Sequence, residues 1–213
     1  DLKNIYEFFS RIYTNVTSAS GYYQFDGSVE KMSEFFFEHT HYFDFVNSFI
    51  KNSDMSIKEV VINKELSSEG EVTYRPIFRH VLNDATWDLS YSEQSSGTKH
   101  LYMTMGLYWG ALLTSGILAL DEFDIHLHAL LLPNILDLFE SLDSNPNNAQ
   151  LIFTSHNTEI IDKLGKYRTV LVNKEESESY CYRLDEIGGQ ILRNDRPISS
   201  IYKKGIIGGV PKL

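Results

Sequence analysis

The sequence predicts an α/β fold: a mostly parallel sheet flanked by helices, with a helical region in front of it. Three observations predict it. Apolar residues in the first 55 positions recur at helical spacing. Near residue 57 the period shifts toward strands. From residue 116 onward, short apolar runs alternate with helical stretches, the pattern of a parallel sheet buried on both faces.

Ile5, Phe8, Phe9, Ile12 and Tyr13 form one apolar stripe at i, i+3, i+4 and i+7 spacings, which predicts a helix through them. A turn is expected at 21–27. Ser28 then caps a second helix with apolar positions at Val29, Met32, Phe36, Phe43, Val46 and Ile50. These aromatics are read as helix–helix core rather than a cofactor box. Residues 58–62 and 72–81 are β-like, split by the polar turn Ser67-Ser68-Glu69-Gly70. Residues 100–113 form a helix, on which Gly106 and Gly110, four apart, point to close approach of another backbone. Strands follow at 116–120, 150–154 and 169–172, with helices at 129–142 and 159–164. The expected division is a helical region at 1–55 and an α/β lobe at 56–213.

The chain has 213 residues, 42% of them hydrophobic, enough for a core. A formal net charge of −10 argues against broad electrostatic binding of nucleic acid, which normally shows as a basic surface. A local basic groove stays open, so DNA is neither assigned nor excluded as a partner. The single cysteine, Cys181, precludes an internal disulfide framework and fits a reducing, cytosolic compartment. No signal peptide is visible. No apolar run approaches the ~18 residues of a membrane span, so no membrane partner is expected. Asp1 stands where a start Met would, which suits a piece cut from something longer.

The chemistry concentrates in three segments. Gly116-Ile117-Leu118-Ala119-Leu120-Asp121-Glu122 is an apolar strand ending in two acids, and ligands of open α/β sheets bind at the carboxyl ends of strands. One acid, Asp121, can hold Mg²⁺, which takes oxygen ligands and keeps much of its water. The next, Glu122, can orient and deprotonate a water. Leu151-Ile152-Phe153-Thr154-Ser155-His156 is a second such strand, and an imidazole at its end can meet a terminal phosphate. Ser95, Ser96, Gly97 and Thr98 open the 100–113 helix, where free N–H groups and the positive dipole end favour an anion. Taken singly, each has a plainer reading: an acidic loop, a backbone-bonded histidine, a simple N-cap.

In this order the segments resemble the second half of an ATP-binding cassette. Ser95-Ser96-Gly97-Thr98 is similar to a divergent signature motif, departing at Ser96 and Thr98. Leu118-Ala119-Leu120-Asp121-Glu122 resembles the Walker B motif, and Ile125-His126-Leu127-His128 falls at the D-loop, with His128 in place of the usual aspartate. His156 resembles the switch histidine. Gln94-Ser95-Ser96-Gly97-Thr98-Lys99, Asp121 to His128, and the tail Tyr202 to Pro211 with Gly205, Gly208, Gly209 and Val210 resemble a narrower group. That group is the bacterial AAA-family ATPase heads of the RecF/SMC/OLD-like kind, found in phage-defence systems.

The resemblance implies the C-terminal lobe of an ABC-type P-loop ATPase that binds ATP and Mg²⁺. Asp121 would be the metal ligand and Glu122 and His156 catalytic, with Ser95, Ser96, Gly97, Thr98 and His128 on nucleotide. It further implies dimerisation with a second ATPase head on ATP, and a nuclease or other effector as partner. No Gly-x-x-x-x-Gly-Lys-Ser/Thr occurs in the chain, which points to a truncated or split head whose phosphate-loop lobe is a further partner, and to weak ATP binding by the chain alone. Two rivals stand beside this reading. One is a metal-dependent hydrolase or nuclease using Asp121, Asp124, His126, His128 and His156. The other is a non-catalytic dimerisation module with degenerate ATPase motifs. The biological target is not legible in these residues.

Overall fold

Helix α1 (Leu2–Phe9) ends at a tight turn, and strand β1 (Ile12–Thr14) begins three residues later in the computed structural model of the chain. The structure describes residues 2–16, 28–66, 70–83, 85–188, 191–192 and 196–210. The turn expected at 21–27, positions 67–69 of the polar turn, and Pro211 lie outside these. Contacts divide the chain into two units, Asp1–Ser155 and His156–Leu213.

The apolar stripe over Ile5 to Tyr13 predicts one continuous helix, and the structure corrects it. The Arg11 N–H reaches back to Phe8 O at 3.2 Å, tightening the last turn, and the Ser10 hydroxyl donates to Glu7 O. Beyond it Ile12, Tyr13 and Thr14 pair in parallel with Ile117, Leu118 and Ala119. β-Branched and aromatic residues suit that pairing, and tertiary pairing overrides the local helical period. None of the α1 residues is buried, and Leu2, Ile5, Tyr6, Phe8 and Phe9 are all exposed.

Ser28 caps α2 (Val29–Glu38) as expected, its hydroxyl accepting from the Lys31 N–H. The single long helix expected from here is two: α2 stops at His39 and α3 (Thr40–Ser53) starts. The His39 imidazole bonds Phe35 O and stacks on the Phe35 ring, so an aromatic contact marks the break where no proline or glycine does. Phe36, Val46 and Ile50 are fully buried, the core role read for this stretch. Phe35 and Tyr42 instead line a cavity of about 340 Å³ with Tyr13, Lys31 and Met32.

Strands β2 (Ile57–Leu66), β3 (Val72–Leu82) and β4 (Ala85–Ser90) form an antiparallel meander. The third strand has no counterpart in the sequence reading; its exposed, mostly polar-flanked residues hide the alternation. Phe78 on β3 and Tyr102 on α4 (Ser96–Thr114) meet edge to face at 5.7 Å, joining this sheet to the long helix. Gly106 and Gly110 do mark close approach, yet of rings rather than backbone: a Cβ at Gly106 would lie 3.3 Å from Phe36, and at Gly110 3.5 Å from Tyr13. Gly116 is where backbone comes close, since a Cβ there would meet Arg11 O at 2.5 Å.

After α4 comes β5 (Ile117–Leu120), then α5 (Leu132–Glu140), entered through a 3₁₀ turn at Ala129–Leu131, then β6 (Gln150–Phe153). The three-stranded sheet β1-β5-β6 is parallel throughout, with Leu118 opposite Leu151. This mixed α/β architecture, a parallel sheet flanked by helices, is that of a P-loop ATPase-like lobe.

The second unit contains α6 (Glu159–Leu164), β7 (Val170–Glu175), β8 (Glu178–Arg183) and α7 (Ile198–Lys203) around Ile161, Leu171, Leu184, Ile201 and Ile207. The strand expected at 169–172 does not extend a parallel sheet; β7 pairs antiparallel with β8. Glu176 and Ser177, both at positive φ, make the two-residue turn, a geometry that usually announces itself as Asn-Gly. Among the described residues no helix is long and apolar enough to cross a membrane.

Candidate functional site

Three polar residues sit directly after three adjacent parallel strands. Asn15 follows β1, Asp121 follows β5 and Thr154 follows β6. This is the carboxyl edge of the sheet, where ligands of α/β proteins bind. The Asn15 amide doubles the ladder: its Oδ1 accepts from the Asp121 N–H and its Nδ2 donates to Asp121 O, both at 2.8 Å. From the other side, the Thr154 hydroxyl donates to Asp121 Oδ1 and accepts from the Glu122 N–H at 2.9 Å. The Phe123 N–H donates to Thr154 O.

Glu122 adopts φ +50, a left-handed conformation that strains a residue carrying a Cβ. The backbone turns sharply there and Phe123 drops into the interior against Phe153, ring centroids 4.5 Å apart. The Glu122 side chain is left exposed. The turn continues through Asp124 and His126, the latter at φ +64, to His128. His128 Nδ1 accepts from the Leu130 N–H, so this imidazole caps the turn into α5.

Ser95 is the N-cap of α4, its hydroxyl accepting from the Thr98 N–H and lying 2.9 Å from the Thr98 hydroxyl. Ser95 and Ser96 are exposed, whereas Thr98 is buried with its hydroxyl turned to Ser95. Gln94 is also buried; it bonds His80 on β3 and Ser90 O, which ties the start of α4 to the antiparallel sheet. Gly97 is where this helix start meets the acidic loop: a Cβ there would come to 3.1 Å from His126 O. Beside it the imidazoles of His100 and His126 lie 5.9 Å apart. Burial, helped by the neighbouring His126, pushes the His100 pKa down to about 4.

The structure thus brings Asp121, Glu122, His126 and Gly97 into one neighbourhood. His156 opens the second unit, three residues beyond the end of β6. Among the described residues no three His, Cys, Asp or Glu side chains gather as a metal-ligating group. That weighs against the hydrolase set of Asp121, Asp124, His126, His128 and His156. Asn15 and His100 were not read from sequence, and Thr154 was read only as a strand-end hydroxyl with no partner assigned. Asn15 had a signal, a polar amide directly after the β-favouring triplet Ile12-Tyr13-Thr14, but a three-residue strand carries no period of its own.

A family model described as "AAA domain, putative AbiEii toxin, Type IV TA system" matches residues 1–162. No curated protein matches the chain.

Proposed function

The chain belongs to this AAA-domain family, whose domains generally bind and hydrolyse ATP with Mg²⁺, and on that premise we propose that it carries the acid-bearing half of an ABC-type ATPase site, of the RecF/SMC/OLD-like kind. The observation that supports this most is the end of β5, where Asp121 is held from both neighbouring strands and Glu122 is turned out beside it.

The Asp121 carboxylate fits a hydrated Mg²⁺. One oxygen is oriented by the Thr154 hydroxyl. Mg²⁺ commonly takes one or two carboxylates and completes its shell with water and phosphate oxygens. When bound, it would neutralise charge developing on the β- and γ-phosphate oxygens. Glu122 is the base in this proposal. Its carboxylate takes a proton as the water oxygen bonds to the γ-phosphorus. The bond to the bridging oxygen breaks, and its electron pair leaves on ADP. His156 keeps the role given by the resemblance, a contact to the terminal phosphate.

The exposed start of α4, with Ser95 and Gly97, is the anion-binding end proposed to engage the γ-phosphate bound by a second head. The phosphate loop, absent from this sequence, comes from another lobe. ATP then closes a pair of heads and hydrolysis releases them, so that nucleotide state governs an attached effector. The phage-defence setting implied by the sequence resemblance is the biological context we propose.

In the full-length protein, Glu122→Gln should slow turnover by about 10²-fold or more, the scale of general-base loss, and an ATP-bound dimer should accumulate in light scattering. Ser95→Arg should block that dimer while nucleotide binding persists. Unchanged turnover in Glu122→Gln would overturn the assignment of the base.

A further inference from the structure

We propose that Asn15 and Thr154 are positioning residues that hold the two acids in working register, one from each strand flanking β5. The inference rests on the reading of Asp121 and Glu122 as the ATPase acids. Asn15 lies outside the segments that suggested that reading; Thr154 lies within one of them, Leu151 to His156, where it was given no role.

The geometry gives each a separate task. Asn15 makes two backbone bonds to Asp121, both 2.8 Å, as a further rung of the β1–β5 ladder beyond Thr14↔Ala119. It therefore fixes where the Asp121 Cα sits and keeps the chain extended to that residue. Thr154 uses both faces of one hydroxyl. As donor it orients Asp121 Oδ1, and as acceptor it takes the N–H of Glu122. A single oxygen thus links the side chain of one acid to the backbone of the next. Its own carbonyl accepts from Phe123.

Glu122 needs such restraint. At φ +50 the residue sits in a conformation that costs a non-glycine residue on the order of 1 kcal/mol or more. Without the bonds from Thr154, an extended backbone would be preferred, and Glu122 would swing to the other side of the strand end. A valine in place of Thr154 has nearly the same shape and no hydroxyl. It would leave Asp121 Oδ1 without its donor and the Glu122 N–H without its acceptor. Partners one step removed from a cation are typically worth 10- to 100-fold in metal affinity or activity.

The test uses full-length protein with ATP. Mn²⁺ binding is followed by electron paramagnetic resonance, the Mg²⁺ concentration for half-maximal turnover is measured, and amide hydrogen exchange is read at 121 and 122. Thr154→Val should weaken Mn²⁺ binding and raise the Mg²⁺ requirement about tenfold or more, and speed exchange of the Glu122 amide. Thr154→Ser, which restores the hydroxyl, should recover all three. Asn15→Asp keeps the acceptor for the Asp121 N–H but sets an oxygen against the Asp121 carbonyl. It should raise the cation requirement in the same direction, and it carries the test should Thr154→Val not fold. Wild-type Mn²⁺ affinity in both Thr154→Val and Asn15→Asp, or no recovery in Thr154→Ser, overturns the inference. Glu122→Gln measured alongside separates the two levels. Unchanged turnover there removes the ATPase reading and this inference with it. Lost turnover there, with wild-type cation dependence in the other variants, removes this inference alone.

Discussion

The C-terminal tail and the acidic loop after β5 both pass through left-handed backbone, and they use different residues to do it. In the tail, Gly205, Gly208 and Gly209 sit at φ +70, +78 and +73. They let the chain fold back on the β7–β8 hairpin, where Tyr182 Oη donates to Ile207 O and the Gly209 N–H donates to Asn173 Oδ1. In the acidic loop the same backbone region is taken by Glu122 and His126, which have side chains to strain. Left-handed residues other than glycine also occur at Ser115 after α4 and in the hairpin turn at Glu176 and Ser177. Strain alone therefore does not mark a site. What sets Glu122 apart is strain together with a dedicated clamp on both sides of the preceding acid. The tail uses glycine because only shape matters there; the loop keeps a carboxylate where glycine would fit the backbone better.

The largest effect expected of this contrast is the loss of turnover in Glu122→Gln, about 10²-fold or more, with folding untouched because the backbone strain is unchanged. Gly208→Ala comes next and should act in the opposite way. Its Cβ would run into the Tyr182 hydroxyl and the Asn173 amide, so unfolding in urea should show a loss of about 2 kcal/mol or more. Gly205→Ala has open space around it and only the positive φ against it, so about 1 kcal/mol is expected. Equal losses at the two glycines would mean that packing against the hairpin contributes nothing.

The smallest expected effect concerns pH. His100 is half-buried and neutral beside His126, with its pKa at about 4 against an ordinary value of 6.5. Between those values the unfolded chain binds the proton and the folded chain does not, so stability is full above pH 6.5 and falls as pH drops toward 4. Urea unfolding at pH 7 and pH 5 should differ by on the order of 1 kcal/mol from this group, and His100→Asn should flatten that part of the difference. The same slope in His100→Asn would show that other groups produce it.

The strands carrying Asp121 and Thr154 were legible because runs of four (117–120) and three (151–153) consecutive apolar residues ending in polar ones leave few alternatives. The caps at Ser28 and Ser95 were legible for a local reason, a hydroxyl at the first free N–H groups of a helix. Strand β1 was not, because Ile12 and Tyr13 continue the helical period of α1 and only pairing with β5 removes them from it. With β1 hidden, the partner of Asp121 was hidden too. Strand β8 and its turn were missed because Glu176 and Ser177 adopt positive φ without the residues that favour it. The glycines of α4 were noticed for the right reason, close approach, but spacing on a helix does not say whether a ring or a backbone approaches.

The most direct measurement is Glu122→Gly in the full-length protein, with thermal unfolding and ATP turnover recorded on the same sample. Glycine relieves the left-handed backbone and removes the carboxylate in one change. The expected result is an unfolding midpoint equal to or above that of the native protein, with turnover reduced by about 10²-fold or more. Native turnover in Glu122→Gly would contradict the assignment of this carboxylate to the hydrolytic step.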